Sequence, residues 1–132
     1  MGAVKTDIHS KERSLDSKYA ALDNADGIKR LLRDYNALKE RRFAGDYAAC
    51  DILVDLERAI ERAGLTDRQR EALRLVFAGQ LTQEEAGEAL GCTKQTVNRL
   101  VNVGTTKVAR VYEYWARHGE GYGLTIDSEG ER

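Results

Sequence analysis

The chain has 132 residues, of which 42% are hydrophobic and 33% charged, and its 21 basic and 22 acidic side chains leave a net charge of −1. This length suits one domain with a modest core, and the balanced charge argues against a nucleic-acid binder that relies on a general excess of basic residues. No apolar run approaches the roughly 18–20 residues of a membrane span, and the N-terminus lacks the apolar stretch of a secretory signal. The absence of proline favours helices. We therefore expect an all-α, cytoplasmic protein.

The cysteines and histidines give no sign of a metal or redox site. Cys50 and Cys92 are expected to be unpaired thiols, because a reducing compartment disfavours a single disulfide. His9 and His118 lie near opposite ends of the chain, and no pair of ligand residues has metal-site spacing. The sequence also lacks paired carboxylates, a nucleophile beside a base and a phosphate-binding glycine loop. We therefore expect no cofactor and no enzymatic activity.

The N-terminal part of the chain predicts a mobile arm followed by a helical hairpin. Residues 1–26 are polar and predict the arm, with a short helix over S-L-D-S-K-Y-A-A-L as an alternative. From residue 27, apolar residues at helical spacing predict one amphipathic helix that ends near residue 44. A second helix is predicted over 46–63 and ends at Gly64. Its expected apolar stripe consists of Tyr47, Cys50, Leu53, Leu56 and Ile60, beside Ile52, Val54 and Ala59.

The hairpin at 27–64 has two interpretations. The connection between its helices is short enough to make them antiparallel neighbours. The first arm, residues 27–44, carries a net charge of +4, and residues 45–63 carry −3. These charges fit complementary faces within one chain, but apolar surface left over from so short a hairpin also fits a homodimer or higher oligomer.

Residues 64–90 predict two further helices, each with a capping box. Thr66 with Gln69, and Thr82 with Glu85, have the spacing at which each side chain bonds the backbone of the other residue. The residues expected to face inward are Ala72, Leu73, Val76 and Phe77 in the first helix, and Ala86, Ala89 and Leu90 in the second.

The segment from Thr82 to Leu100 has the features of a helix-turn-helix. Ala86 is the small residue at the helix crossing, Gly91 permits the positive φ of the turn, and Thr93 caps the next helix. Leu90, Val97 and Leu100 are the expected apolar anchors. This leaves five polar side chains exposed on the last helix: Lys94, Gln95, Thr96, Asn98 and Arg99. Such side chains bond to base edges or phosphates, and residues 91–118 carry five basic side chains against one acidic.

With the preceding helix included, residues 65 to about 112 resemble the region of bacterial sigma factors that reads the minus-35 promoter element, and related regulatory domains. The matching residues are Leu65, Arg68, Arg70, Leu73, Thr82, Glu85, Ala86 and Gly87. The resemblance implies a recognition helix in the major groove, with the five exposed residues reading bases. The expected phosphate contacts come from Arg68, Arg70, Thr82, Gln83, Thr93 and Lys107. No segment for the minus-10 element is recognisable, so a complete sigma factor is not expected.

The helix-turn-helix domain is expected to span 65–118 and to end in a long helix. Gly104 is interpreted as a close-packing position against the hairpin. Tyr112, Tyr114 and Trp115 are interpreted as packing residues rather than a base-stacking surface. Residues 119–132 predict an acidic disordered tail.

The favoured hypothesis is a sequence-specific double-stranded DNA-binding regulator of transcription, of phage or bacterial origin. One alternative is an oligomeric DNA-binding subunit of a phage packaging machine, similar to a small terminase. The other is a module that docks on RNA polymerase, with DNA contact secondary.

Overall fold

The computed structural model describes residues 22–118, and every regular element in this range is helical. The helices are α1 (Ala25–Arg33), α2 (Tyr35–Phe43), α3 (Tyr47–Arg62), α4 (Asp67–Leu73), α5 (Gln83–Leu90) and α6 (Lys94–Arg117). A π-helical turn, Arg74–Ala78, continues α4. The prediction of an all-α fold with a helix-turn-helix and a long last helix is confirmed. Apart from residues 22–26, the predicted arm lies outside the described residues, as does the predicted tail at 119–132.

The prediction of a single helix over 27–44 is wrong, because the structure has two helices there. The first begins earlier than predicted, at Ala25, since the side chain of Asn24 accepts a hydrogen bond from the backbone N–H of Gly27 at 2.9 Å. The backbone leaves the helical region at Asp34, where φ is −93° and ψ is 7°. The break allows the two halves different partners: α1 packs on α6, and α2 packs on α3.

The buried face of α3 differs from the predicted stripe. Leu53 and Leu56 are fully buried, as predicted, but the face is completed by the small residues Ala49 and Ala59. The assignment of Tyr47 to the stripe is wrong: its side chain is 79% exposed, because it is the first residue of the helix and lies beyond the packed face. A left-handed Gly64 (φ +71°) follows the helix, as predicted.

One hydrophobic core joins the hairpin segment to the helix-turn-helix segment. The helix α6 contacts α1, α3, α4 and α5, so it is the central element of the described fold. A Cβ added to Gly104 would lie 3.2 Å from Leu73 Cδ1 and 3.8 Å from Leu65 Cδ2. Gly104 is therefore a close-packing position, but against the α4 segment, which we define as residues 65–78, rather than the hairpin. None of the described helices is long and apolar enough to span a membrane.

The residues predicted to face inward are buried only in part. Ala72, Leu73 and Ala86 are buried, and Val76, Phe77 and Leu90 are half-buried. The prediction for Ala89 is wrong: it is exposed, because α5 meets α6 only along the face that carries Ala86 and Gly87. Trp115 is buried and packs edge to face with Tyr112, with ring centroids 5.2 Å apart.

Candidate nucleic-acid interface

Two glycines build the turn between α5 and α6. Gly91 has φ +72° and ends α5 in the left-handed conformation, as predicted. The backbone N–H of Cys92 donates to the carbonyl of Gly87 at 2.9 Å, and a Cβ on Gly87 would lie 2.6 Å from the carbonyl oxygen of Cys92. The chain therefore folds back so closely that only glycine fits at position 87. Sequence reasoning gave the small-residue role to Ala86 alone, and the close approach shows that Gly87 shares it.

Threonine caps fix where the two helices begin. The Thr82 hydroxyl accepts from the backbone N–H of Glu85 at 3.1 Å, and the Glu85 carboxylate accepts from that of Thr82 at 2.9 Å. The Thr93 hydroxyl accepts from the backbone N–H of Thr96 at 3.1 Å. Both predicted caps are confirmed, as is the predicted capping box of Thr66 and Gln69 at the start of α4. The start of α6 is thus set by a hydrogen bond between residues only three positions apart.

The buried face of α6 determines which residues face solvent. Val97 is fully buried and Val101 nearly so, whereas the predicted anchors Leu90 and Leu100 are only half-buried. Four of the five predicted base-reading residues are exposed on the remaining surface of the first two turns: Lys94, Gln95, Asn98 and Arg99. The fifth, Thr96, is half-buried, and its hydroxyl lies 3.0 Å from that of Thr93. It therefore belongs to the cap as well as to the exposed edge.

A chain of side-chain amides links the start of α5 to the exposed face of α6. Asn98 donates through Nδ2 to Gln83 Oε1 at 3.4 Å, and its Oδ1 accepts from Nδ2 of Asn102 at 3.0 Å. Sequence reasoning identified Gln83 and Asn98 but missed Asn102. Its position four residues after Asn98, on the same helical face, is the signal that could have identified it.

The predicted phosphate-binding residues do not all lie near this face. Thr82, Gln83 and Thr93 lie at the N-termini of α5 and α6. Arg68 Nη1 lies 3.5 Å from the carbonyl oxygen of Leu90, next to the turn. Arg70 instead lines an apolar cavity of about 180 Å³ between α1, α3 and the α4 segment.

Lys107 is also remote from the first two turns of α6. Its Nζ donates to Gln69 Oε1 at 3.0 Å and to the carbonyl of Gly64 at 3.4 Å. It lies roughly 20 Å along the helix axis from Lys94. Lys107 therefore ties α6 to the start of α4, and the structure does not bring it to the other candidate residues.

The electrostatics of this face favour an anionic ligand. Residues 91–112 contain no acidic side chain, and the first one along α6, Glu113, pairs with Arg117 at 3.1 Å. Within residues 22–118, no three histidine, cysteine or carboxylate side chains are placed to hold a metal ion. The face offers cations and amides, a combination suited to base edges and phosphates.

Comparison with known proteins agrees with this geometry. Residues 63–109 match the family model described as "Sigma-70, region 4". Over 72 residues the chain is 38% identical to a UPF0251 protein of Syntrophobacter fumaroxidans (strain DSM 10017 / MPOB). That alignment covers 54% of this chain and 42% of the relative, so the chain spans less than half the length of the curated relative. No solved structure gives a significant match. Residues 63–109 therefore form a helix-turn-helix domain like region 4 of the sigma-70 factors.

Proposed function

We propose that this chain binds double-stranded DNA sequence-specifically and regulates transcription. The observation that carries the proposal is the exposed face of α6: its first two turns present Lys94, Gln95, Asn98 and Arg99, with no acidic residue within the surrounding segment 91–112. A helix placed in the major groove by a helix-turn-helix contacts base edges with its N-terminal turns. We therefore assign α6 as the recognition helix.

The exposed side chains divide by chemistry. Lys94 and Arg99 suit the O6 and N7 acceptors of guanine, whereas Gln95 and Asn98 suit the N6 and N7 atoms of adenine. Asn98 already uses its Nδ2 and Oδ1 atoms within the chain. On binding adenine it would exchange those two hydrogen bonds for two to the base. The helix N-termini at Thr82 and Thr93 would bind flanking phosphates through backbone N–H groups.

The likeness to sigma region 4 supports a role at promoters. A protein with this domain that binds beside a promoter would change how RNA polymerase is recruited, and we propose polymerase as a second partner on that basis. We also propose a phage or bacterial origin, a cytoplasmic site of action and a binding role without catalysis. These proposals depend on the domain match and on the chemistry of the α6 face.

A selection of bound duplexes from a random library tests the proposal. The wild-type chain should enrich a defined site, and Lys94→Ala with Arg99→Ala should weaken binding to that site by about 2–6 kcal/mol, since each base contact contributes about 1–3 kcal/mol. The control is Lys39→Ala with Arg58→Ala, which removes the same charge from exposed positions on α2 and α3. An unenriched library, or a recognition-helix variant that binds as tightly as the control, would contradict the proposal.

A second copy of the chain is the partner that the hairpin favours. Phe43 and Tyr47 flank the connection between α2 and α3, and their side chains are 96% and 79% exposed. Two copies related by a two-fold axis can place these aromatic side chains of one copy against those of the other.

Analytical ultracentrifugation at tens of micromolar tests this self-association. We expect a dimer for the wild-type chain and a monomer for Phe43→Ser with Tyr47→Ser. A wild-type monomer at that concentration would rule out the homodimer.

A further inference from the structure

A lysine outside the helix-turn-helix domain reaches its exposed face. Lys29 lies on α1, well before the matched segment 63–109, yet its Nζ donates to Oδ1 of Asn102 on α6 at 2.5 Å. The neighbouring Ile28 and Leu31 are fully buried in the core, where α1 packs on α6. The position of Lys29 is therefore set by a buried helix interface and not by a loop.

Asn102 continues the row of side chains that reads bases. Lys94, Asn98 and Asn102 follow one another at intervals of four residues, so they share one face of α6. All three are exposed, and Asn102 is hydrogen-bonded to Asn98. The Cα atoms of residues 94 and 102 are about 12 Å apart along the axis of an α-helix. Lys29 thus places a positive charge at the far end of the row that Lys94 begins.

The charge of Lys29 is available to an anion. Among residues 22–118, no carboxylate forms an ion pair with it. An ammonium group has three N–H donors, of which Asn102 accepts one. The major groove is about 12 Å wide. If the first turns of a helix contact the bases, residues two turns further along the helix therefore lie near the phosphates at the edge of the groove.

We propose that Lys29 and Asn102 form a binding site for a DNA backbone phosphate, supplied in part by α1. This inference rests on the proposed function, because it requires α6 to enter the major groove. Lys29 makes the phosphate contact, and its hydrogen bond to Asn102 orients the ammonium group. The DNA-binding surface therefore extends beyond the sigma-like domain, and α1 belongs to it.

The salt dependence of binding separates a phosphate contact from a structural one. Each phosphate neutralised adds about 0.9 to the slope of log affinity against log salt concentration. We expect Lys29→Ala to lower that slope by about 0.9 and to weaken binding roughly two- to fivefold, equally on the selected site and on an unrelated duplex. Lys29→Arg should keep the wild-type slope. The control is Lys39→Ala, since α2 makes no contact with α6.

The possible results distinguish the phosphate site from the recognition helix. If Lys29→Ala keeps the wild-type slope while Lys94→Ala with Arg99→Ala loses binding, the phosphate site is wrong and the recognition helix stands. A loss confined to the selected site, with an unchanged slope, would mean that Lys29 acts only by orienting Asn98, and would also overturn the phosphate site. A wild-type chain that binds no duplex overturns both proposals. Thermal unfolding of each variant should match the wild type, because the Lys29 side chain is not part of the core.

Discussion

The helix-turn-helix and the α1–α3 region are stabilised by different means. In the turn between α5 and α6, the decisive contacts involve the backbone: Gly91 in the left-handed conformation, the close approach at Gly87 and the hydroxyl of Thr93 on the first turn of α6. In α1–α3, the decisive contacts are buried side chains such as Leu31 and Leu53. The N-terminal end of α6 is thus shaped locally, whereas the body of the helix depends on packing against distant parts of the chain.

The largest expected loss of stability comes from removing a buried side chain that packs α1 against α6. Leu31 is fully buried where α1 meets α6, and Leu31→Ala should cost about 2–5 kcal/mol of unfolding free energy. Because one core joins the two regions, the variant should still unfold in a single transition. Urea unfolding followed by far-ultraviolet circular dichroism and by the fluorescence of Trp115, the single tryptophan, measures both quantities. Separate transitions for the two probes would show that the regions are independent.

A smaller effect is expected at the glycine of the turn. Alanine favours a helix over glycine by about 1 kcal/mol, so Gly87→Ala would stabilise α5 if space allowed. The Cβ would instead lie 2.6 Å from the backbone oxygen of Cys92, and we expect a net loss of roughly 1–3 kcal/mol. Thermal unfolding shows whether the variant is more or less stable than wild type. Gly91→Ala is the matched control, because its added Cβ would meet no atom within 4 Å. This variant should lose only the roughly 1–2 kcal/mol of unfolding free energy that alanine costs in the left-handed conformation. A Gly87→Ala variant more stable than wild type would disprove the close approach.

The smallest effect concerns a cap in the hairpin that resembles those of the helix-turn-helix. Burial opposes ionisation of Asp46, but hydrogen bonds from the backbone N–H of Ala49 and from Arg41 outweigh it and lower the pKa of this carboxyl. A carboxyl with a lowered pKa stabilises the fold above its unfolded pKa, and this contribution disappears as the pH falls through the lowered value.

Asp46→Asn isolates the contribution of the charge, because asparagine caps helices about as well as aspartate. We expect the variant to be about 0.5–1 kcal/mol less stable than wild type at neutral pH, within the range for charges at helix N-termini, and the difference to vanish in acid. Urea unfolding at several pH values between neutral and strongly acidic gives this difference. A difference that stays constant with pH would contradict the assigned role of the carboxylate.

The contrast between the regions also explains what the sequence could predict. The caps at Thr66, Thr82 and Thr93 and the turn at Gly91 depend on residues within a few positions of one another, so spacing alone identified them. The break at Asp34 was missed because hydrophobic periodicity continues across it, whereas the different packing partners of α1 and α2 are set by the tertiary fold.

The candidate site shows the same division between local and tertiary information. Exposure of Lys94 and Arg99 follows from the helical period of α6 and was predicted. The bond from Lys107 to Gln69, and the approach of Lys29 to Asn102, join residues 38 and 73 positions apart. Contacts at such separations depend on the tertiary fold, and no spacing rule in the sequence reports them. The sequence therefore did not show that Lys107 lies away from the first turns of α6, and it did not show the approach of Lys29.

The central claim, that α6 enters the major groove, is tested most directly by methylation of the selected duplex with dimethyl sulfate. The reagent modifies N7 of guanine, which faces the major groove, and N3 of adenine, which faces the minor groove. The account predicts that bound wild-type chain protects guanine N7 atoms within the site, that this protection is lost in Lys94→Ala with Arg99→Ala, and that adenine N3 stays reactive there. Protection confined to adenine N3 would contradict it.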